Sequence, residues 1–140
     1  MHLIFDSDKC TGCMACYMAC LDQRDVRPME GERPLLRVEQ EETNGVLRFR
    51  LVRCTGCGAC ADVCPTGCLS RKETGDIIAE EARCIGCRAC ETACPEQVIS
   101  FDANTGTVRK CDGCRGRVSA GMLPACVHTC PTGALRWEEL

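Results

Sequence analysis

Cysteine is the residue type that could do chemistry in this chain, and it comes in groups. Cys10-Thr11-Gly12-Cys13-Met14-Ala15-Cys16 is followed after three residues by Cys20. Cys54, Cys57, Cys60 and Cys64 repeat that spacing, as do Cys84, Cys87, Cys90 and Cys94. A fourth group opens as Cys111-Asp112-Gly113-Cys114 and closes, after a gap of eleven residues, with Cys126 and Cys130. Thiols so close together make poor disulfide staples, because a bridge stabilises by closing a long loop. Structural zinc takes four ligands from two C-x2-C pairs. A third Cys two residues on, with a fourth three beyond it, does not suit such a site. The repeated C-x2-C-x2-C-x3-C run is an iron–sulfur ligand pattern. The expected chemistry is therefore one-electron transfer through four [4Fe–4S] clusters, held by sixteen of the seventeen cysteines.

The residues that must position these thiols repeat as well. Gly12, Gly56, Gly86 and Gly113 each precede the second Cys of a group, and Ala15, Ala59, Ala89 and Ala125 each precede the third. Glycine admits positive φ, which lets a short loop wrap a cluster and aim its N–H groups at sulfur. The three-residue gap before the fourth Cys is nearly one helical turn and sends that side chain away from the other three. In two-cluster ferredoxins this fourth Cys ligates the other cluster. Pro65, Pro95 and Pro131 follow their fourth Cys and end a short helix there. Between groups, Asn44-Gly45 predicts a hairpin joining strands at 35–39 and 47–52. Thr74-Gly75 before 77–79, and Thr105-Gly106 between 98–101 and 107–109, predict two more.

Composition excludes several classes. Seventeen Cys in 140 residues exceed the roughly 8–10% that marks a cysteine-built scaffold. Aromatics are 4% of the chain, so its core is thin and bound metal must supply cohesion. The formal charge is −3 with neutral thiols. Four cubanes at about −2 each, thiolates included, bring it to about −11. That charge opposes nucleic acid and suits a basic docking face on a redox partner. No apolar run approaches ~18 residues, so no membrane segment is expected. Residues 1–9 carry no secretory or twin-arginine pattern, and the expected compartment is the reducing cytoplasm. Nucleotide loops of the G-x-G-x-x-G or G-K-[ST] kind are absent from the sequence, and no substrate pocket is expected.

The groups can pair in two ways. Nineteen residues with one hairpin signal separate Cys64 from Cys84, the layout of a complete two-cluster ferredoxin over 54–101. The first and fourth groups would then pair around it. Pairing in sequence order instead leaves 33 residues between Cys20 and Cys54 inside one unit, and sixteen between Cys94 and Cys111 inside the other.

From Lys110 the chain reads Lys-Cys-Asp-Gly-Cys, then Arg117, Gly121, Pro124-Ala125-Cys126-Val127 and Cys130-Pro131-Thr132-Gly133-Ala134-Leu135. Nearly the whole chain resembles the four-cluster iron–sulfur subunits of the dimethyl sulfoxide reductase family. The first group agrees, lacking Pro after Cys20. The resemblance implies an α+β fold of two nested bacterial-ferredoxin-like units, with short strands and helices wrapped around the clusters. The outer unit is 1–53 with 102–140, and the inserted unit is 54–101. It implies Cys10, Cys13, Cys16 and Cys130 on one cluster, and Cys111, Cys114, Cys126 and Cys20 on its mate. Cys54, Cys57, Cys60 and Cys94 hold the third, and Cys84, Cys87, Cys90 and Cys64 the fourth.

The tight second group and the compact length depart from many relatives. They point to a catalytic partner with a tungsten- or molybdenum-pterin centre, an aldehyde oxidoreductase first, then a formate dehydrogenase or a hydrogenase. Further copies of the chain are a second class of partner. A free-standing polyferredoxin is the alternative, and in either case the chain carries electrons without being the catalyst. Cys68 is the spare thiol and reads as a small packed side chain. His128 reads as solvent-facing, Tyr17 and Trp137 as packing. Arg115, Arg117, Glu39, Glu41 and Glu42 read as solvated charge.

Overall fold

The computed structural model describes residues 3–138; the first two and last two residues of the expected outer unit lie outside the described residues. Within that span eight short strands, five α-helices and two single-turn 3-10 helices are spread along the chain, a small mixed α and β architecture. The strands form four separate two-stranded antiparallel sheets. Three are local hairpins, β2–β3, β4–β5 and β6–β7, and the fourth joins the two ends: β1 (Leu3–Phe5) pairs with β8 (Leu135–Trp137).

Asn44 and Gly45 take φ of 54° and 77°, the paired positive values that a tight hairpin turn demands. β2 (Leu36–Thr43) and β3 (Val46–Arg53) run in unbroken register up to that turn, from Leu36 opposite Arg53 to Thr43 opposite Val46. Both strands are longer than their apolar residues predict, because their outer halves are exposed. Backbone pairing holds them there, with Arg50 donating to Glu39 at 2.7 Å across the strands. β4 (Leu69–Arg71) and β5 (Ile77–Ala79) flank a turn containing Gly75. β6 and β7 shrink to Ser100–Phe101 and Val108–Arg109. Val98 and Ile99, expected in the first of these strands, are buried side chains outside the ladder.

The helices carry the third and fourth cysteines of the groups. α2 (Ala59–Val63), α3 (Ala89–Ala93) and α5 (Ala125–Thr129) are single turns, each capped at its C-terminus by the fourth Cys, where Pro follows. α1 (Ala15–Arg24) differs: with no Pro after Cys20, it continues another turn until Asp25 at φ 51° closes it. α1 lies beside α5, and α2 beside α3. The remaining helix, α4 (Arg115–Ser119), fills the fourth group's insert.

Two brackets bind the 21–35 segment to the 102–112 segment. The carboxylate of Glu32, buried, accepts from the backbone N–H of Arg27 at 3.1 Å and of Ala103 at 3.0 Å. Arg109 lies 3.5 Å from it and also bonds the Asp102 carboxylate and the Asp25 carbonyl. Arg24 donates to Asp112 and to the Lys110 carbonyl, each at 3.1 Å. An apolar cluster, built from Leu69, Ile77, Ile99, Phe101 and Val108 with Cys60, Cys68 and Cys90, sits between α2 and α3.

Candidate metal centres

Each Cys loop bends as its glycine requires. Gly12, Gly56, Gly86 and Gly113 have φ between 71° and 75°. At Gly12 the need is double, since a Cβ there would run into the Phe49 ring. The bend turns backbone donors toward sulfur, Gly12 N–H to Cys10 Sγ at 3.4 Å and Gly113 N–H to Cys111 Sγ at 3.5 Å, and β7 adds Val108 N–H to Cys84 Sγ at 3.3 Å. Hydrogen bonds of this kind favour the thiolate.

All seventeen thiols are free of disulfides, and sixteen of them wall four cavities. Cys10, Cys13, Cys16 and Cys130 line the first. Cys20, Cys111, Cys114 and Cys126 line the second, with Cys54 at its edge. Cys54, Cys57, Cys60 and Cys94 line the third. Cys64, Cys84, Cys87 and Cys90 line the fourth, with Cys68 in its wall. Each cavity takes the name of its first cysteine: Cys10, Cys20, Cys54 and Cys64.

The thiols stand apart around these cavities. Among the described residues no three His, Cys, Asp or Glu side chains converge tightly enough for a single metal ion. A tetrahedral zinc with ~2.3 Å Zn–S bonds would need that convergence. The cavities are instead ringed by thiols from separate segments of the chain and are open on one side. Four thiols set around a common opening match the way a multi-atom cluster is held at its corners by thiolates. Soft donors, wide spacing and backbone N–H groups aimed at sulfur all suit iron–sulfur clusters.

Adjacent cavities share walls. Cys16 and Cys20 stand four apart on α1, and Cys126 and Cys130 span α5, so the Cys10 and Cys20 cavities flank the same two helices. Cys60 and Cys64 span α2, and Cys90 and Cys94 span α3, which join the Cys54 and Cys64 cavities in the same way. Cys54 edges both middle cavities. The four lie in the order Cys10, Cys20, Cys54, Cys64.

Without metal, the thiols differ by environment. Burial raises Cys16 to about 11, with Cys10, Cys130 and Cys13 adding to it. Burial pushes Cys20 up further, as do Cys111, Cys126 and Cys114. Cys126 rises to about 12, and Cys111 and Cys90 to about 11, again chiefly by burial. Cys64 goes the other way. Burial alone would raise it, but the N–H groups of Leu69, Thr66 and Cys68 and the Thr66 hydroxyl bring it down to about 7. Cys130 is lowered by the matching set from Leu135, Thr132 and Ala134. Both sit at the head of a Cys-Pro-Thr-Gly turn with Gly67 and Gly133 near φ 70°, an anion-binding backbone nest. The repeated Cys-Pro-Thr-Gly string carried that signal in the sequence. Cys20, inside a helix and lacking that turn, has no such nest.

Cys68 is 1% exposed and donates its S–H to the Glu80 carbonyl at 3.1 Å. His128 is exposed, while Tyr17 and Trp137 are half-buried. Arg117 is used inside the chain, donating to the Leu123 carbonyl at 2.8 Å. Lys110, read in the sequence only as the first residue of a motif, is 2% exposed.

Family comparison points to the same class of cofactor. Two families described as 4Fe-4S dicluster domain match the chain, over residues 45–140 and 9–68. The chain is 38% identical over 149 residues to the probable anaerobic dimethyl sulfoxide reductase chain YnfG of Escherichia coli, covering 96% of this chain and 73% of that one. It is 38% identical over 144 residues to the thiosulfate reductase electron transfer subunit PhsB of Salmonella typhi, covering 99% and 75%. Against the protein NrfC of Escherichia coli it is 36% identical over 144 residues, covering 99% and 65%.

Proposed function

Because the chain belongs to the 4Fe–4S dicluster-domain family of dimethyl sulfoxide reductase iron–sulfur subunits, we propose that it is a non-catalytic electron-transfer subunit with four [4Fe–4S] clusters. The observation that carries the proposal is the walling of four cavities by four cysteine quartets. Cys10, Cys13, Cys16 and Cys130 would hold one cluster, and Cys20, Cys111, Cys114 and Cys126 the next. Cys54, Cys57, Cys60 and Cys94 would hold the third, and Cys64, Cys84, Cys87 and Cys90 the last. When bound, such a cluster takes up and releases one electron at a time. The protein's own part is to space the sites in a row, exclude water and set local charge.

Nesting is the favoured layout. Residues 1–53 and 102–140 form the outer ferredoxin-like unit in this reading, and 54–101 the inserted one. Three observations support it: the β1–β8 pairing, α1 beside α5, and α2 beside α3.

A row of four sites suits a fixed wire to a catalytic subunit better than a shuttle, which needs one or two. Relatives named above belong to dimethyl sulfoxide and thiosulfate reductases. They weigh toward a reductase of that class over the aldehyde oxidoreductase that compact length favoured. Among the described residues no helix is long and apolar enough to cross a membrane. Seventeen thiols that must stay reduced until metal arrives fit assembly in the cytoplasm.

Anaerobically prepared protein is expected to carry about sixteen iron and sixteen acid-labile sulfide. Mainly zinc, or about eight iron, would sink the four-cluster reading. Isolation from the native host at low salt should recover a large redox subunit bound to it; a free monomer would favour the polyferredoxin alternative. Cys68→Ala is expected to keep full iron, because its thiol is committed to the Glu80 carbonyl. Loss of four iron from that variant would make Cys68 a ligand.

A further inference from the structure

We propose that the Lys110 ammonium is the counter-charge between the two middle clusters, raising the reduction potentials of both; this rests on the four-cluster reading above. Lys110 leaves β7 at its C-terminal end and turns inward, where 2% of it remains exposed. Its ammonium carries three donors. Two go to backbone carbonyls, Ile77 at 3.1 Å and Cys111 at 2.7 Å. Neither bond goes to a carboxylate. A buried cation is expensive unless an opposite charge sits near it, and these two bonds supply only dipoles.

Asp76 and Asp112 line a neighbouring cavity with Lys110, but Asp112 is paired with Arg24, and the two cysteine sites offer the larger negative charge. Lys110 lines the cavity of the Cys54 quartet, and Cys111, its neighbour in the chain, belongs to the Cys20 quartet. Its charge bears on both sides, favouring the thiolates of Cys60 and Cys111. Each site would carry a net charge of about −2 when oxidised, and Lys110 stands where the two sites adjoin. Arg53 is another cation at this junction. It also bonds carbonyls, Leu3 at 2.7 Å and Cys54 at 3.0 Å, but it is half exposed and screened by water. Arg24 is neutralised by Asp112.

A fixed positive charge favours the reduced, more negative state of each neighbouring site. It also weakens the repulsion an electron meets when it arrives beside an already reduced site. Lys110 gives up neither proton nor electron: each transfer moves one electron between adjacent sites and leaves the ammonium unchanged. Among the described residues, the junction it occupies is the one place in the row that no helix spans.

The test is a redox titration of the loaded full chain, followed by electron paramagnetic resonance, for wild type, Lys110→Met, Lys110→Gln and Lys110→Arg. Wild type at about sixteen iron first secures the four-cluster reading independently. In the neutral variants, two of four midpoints should fall by at least a tenfold loss of electron affinity, 59 mV for one electron. The two that fall should be those disturbed by Cys20→Ser and Cys57→Ser, and Lys110→Arg should stay near wild type. Unmoved midpoints in a fully loaded neutral variant would overturn the proposal, as would all four moving alike or Arg shifting as far as Met. If both neutral variants fail to load the middle sites while Arg loads them, the counter-charge role stands. If Arg fails as well, the role is shape and the proposal is wrong.

Discussion

Removing iron from the loaded protein is expected to abolish its fold, with loss of most far-UV dichroism and of any cooperative melt. The reason lies in how little each element could do alone. Four of the five α-helices described are five residues long, below the ~12–15 residues at which an isolated helix becomes even marginal. Each sheet has two strands, and a lone two-stranded hairpin is marginal too. The apolar cluster between α2 and α3 counts three cysteines among its eight buried members. Structural metal supplies about 10–16 kcal/mol in zinc-finger peptides, as much as the whole stability of a typical domain, about 5–15 kcal/mol. An apo form that kept the native spectrum and a cooperative transition would refute this.

The same experiment has a pH arm with a definite sign. In the metal-free chain Cys16, Cys90 and Cys111 rise from 9.0 to about 11, and Cys126 to about 12. A thiol whose folded value is raised binds its proton more tightly in the fold. Its stabilising effect is complete below pH 9 and disappears as pH climbs through about 11 to 12. Cys64, lowered to about 7, has the opposite sign: its contribution is present above pH 9 and fades as pH falls through 7. The raised thiols outnumber the lowered ones. Residual apo structure should therefore weaken between pH 9 and 12, as followed by circular dichroism. Strengthening over that range would contradict the burial assigned to those thiols.

Local signals in the sequence carried far, and long-range ones did not. Asn44-Gly45 names its own turn, since few other pairs accept two positive φ values. The glycines before each second Cys announce their bends for the same reason. Lack of Pro after Cys20 marks the first group as different, but the residues of α1 show no strong apolar periodicity that would announce its extra turn. β1 and β8 are three-residue strands far apart in sequence, and nothing local in Leu3–Phe5 specifies Leu135–Trp137 as its partner. Nothing local in the sequence sets Glu32 or Lys110 apart from the chain's other charged residues. Only the fold, by bringing Ala103 and Arg109 to the one and the Ile77 carbonyl to the other, buries them.

Cys20→Ser is expected to cost one cluster, about four of sixteen iron, and to cost it at the quartet formed with Cys111, Cys114 and Cys126. The site is the most exposed to such a change. Cys20 is half-buried, and desolvation together with Cys111, Cys126 and Cys114 holds its thiol up further than Cys16, its neighbour on α1. A serine there must ionise a far weaker acid in the same low-dielectric pocket, without the N–H nest that serves Cys64 and Cys130. Double variants locate the loss. If Cys20 and Cys114 serve one cluster, Cys20→Ser with Cys114→Ser should hold the same iron as Cys20→Ser alone, because the second change removes nothing further. Cys20→Ser with Cys57→Ser should lose about eight, since two clusters are struck independently. Pairing in sequence order makes the opposite forecast: Cys57→Ser would then be silent in the Cys20→Ser background, and Cys114→Ser would cost a second cluster. The β1–β8 sheet and the packing of α1 beside α5 favour the first outcome, because they put Cys20 and Cys126 around the same cavity.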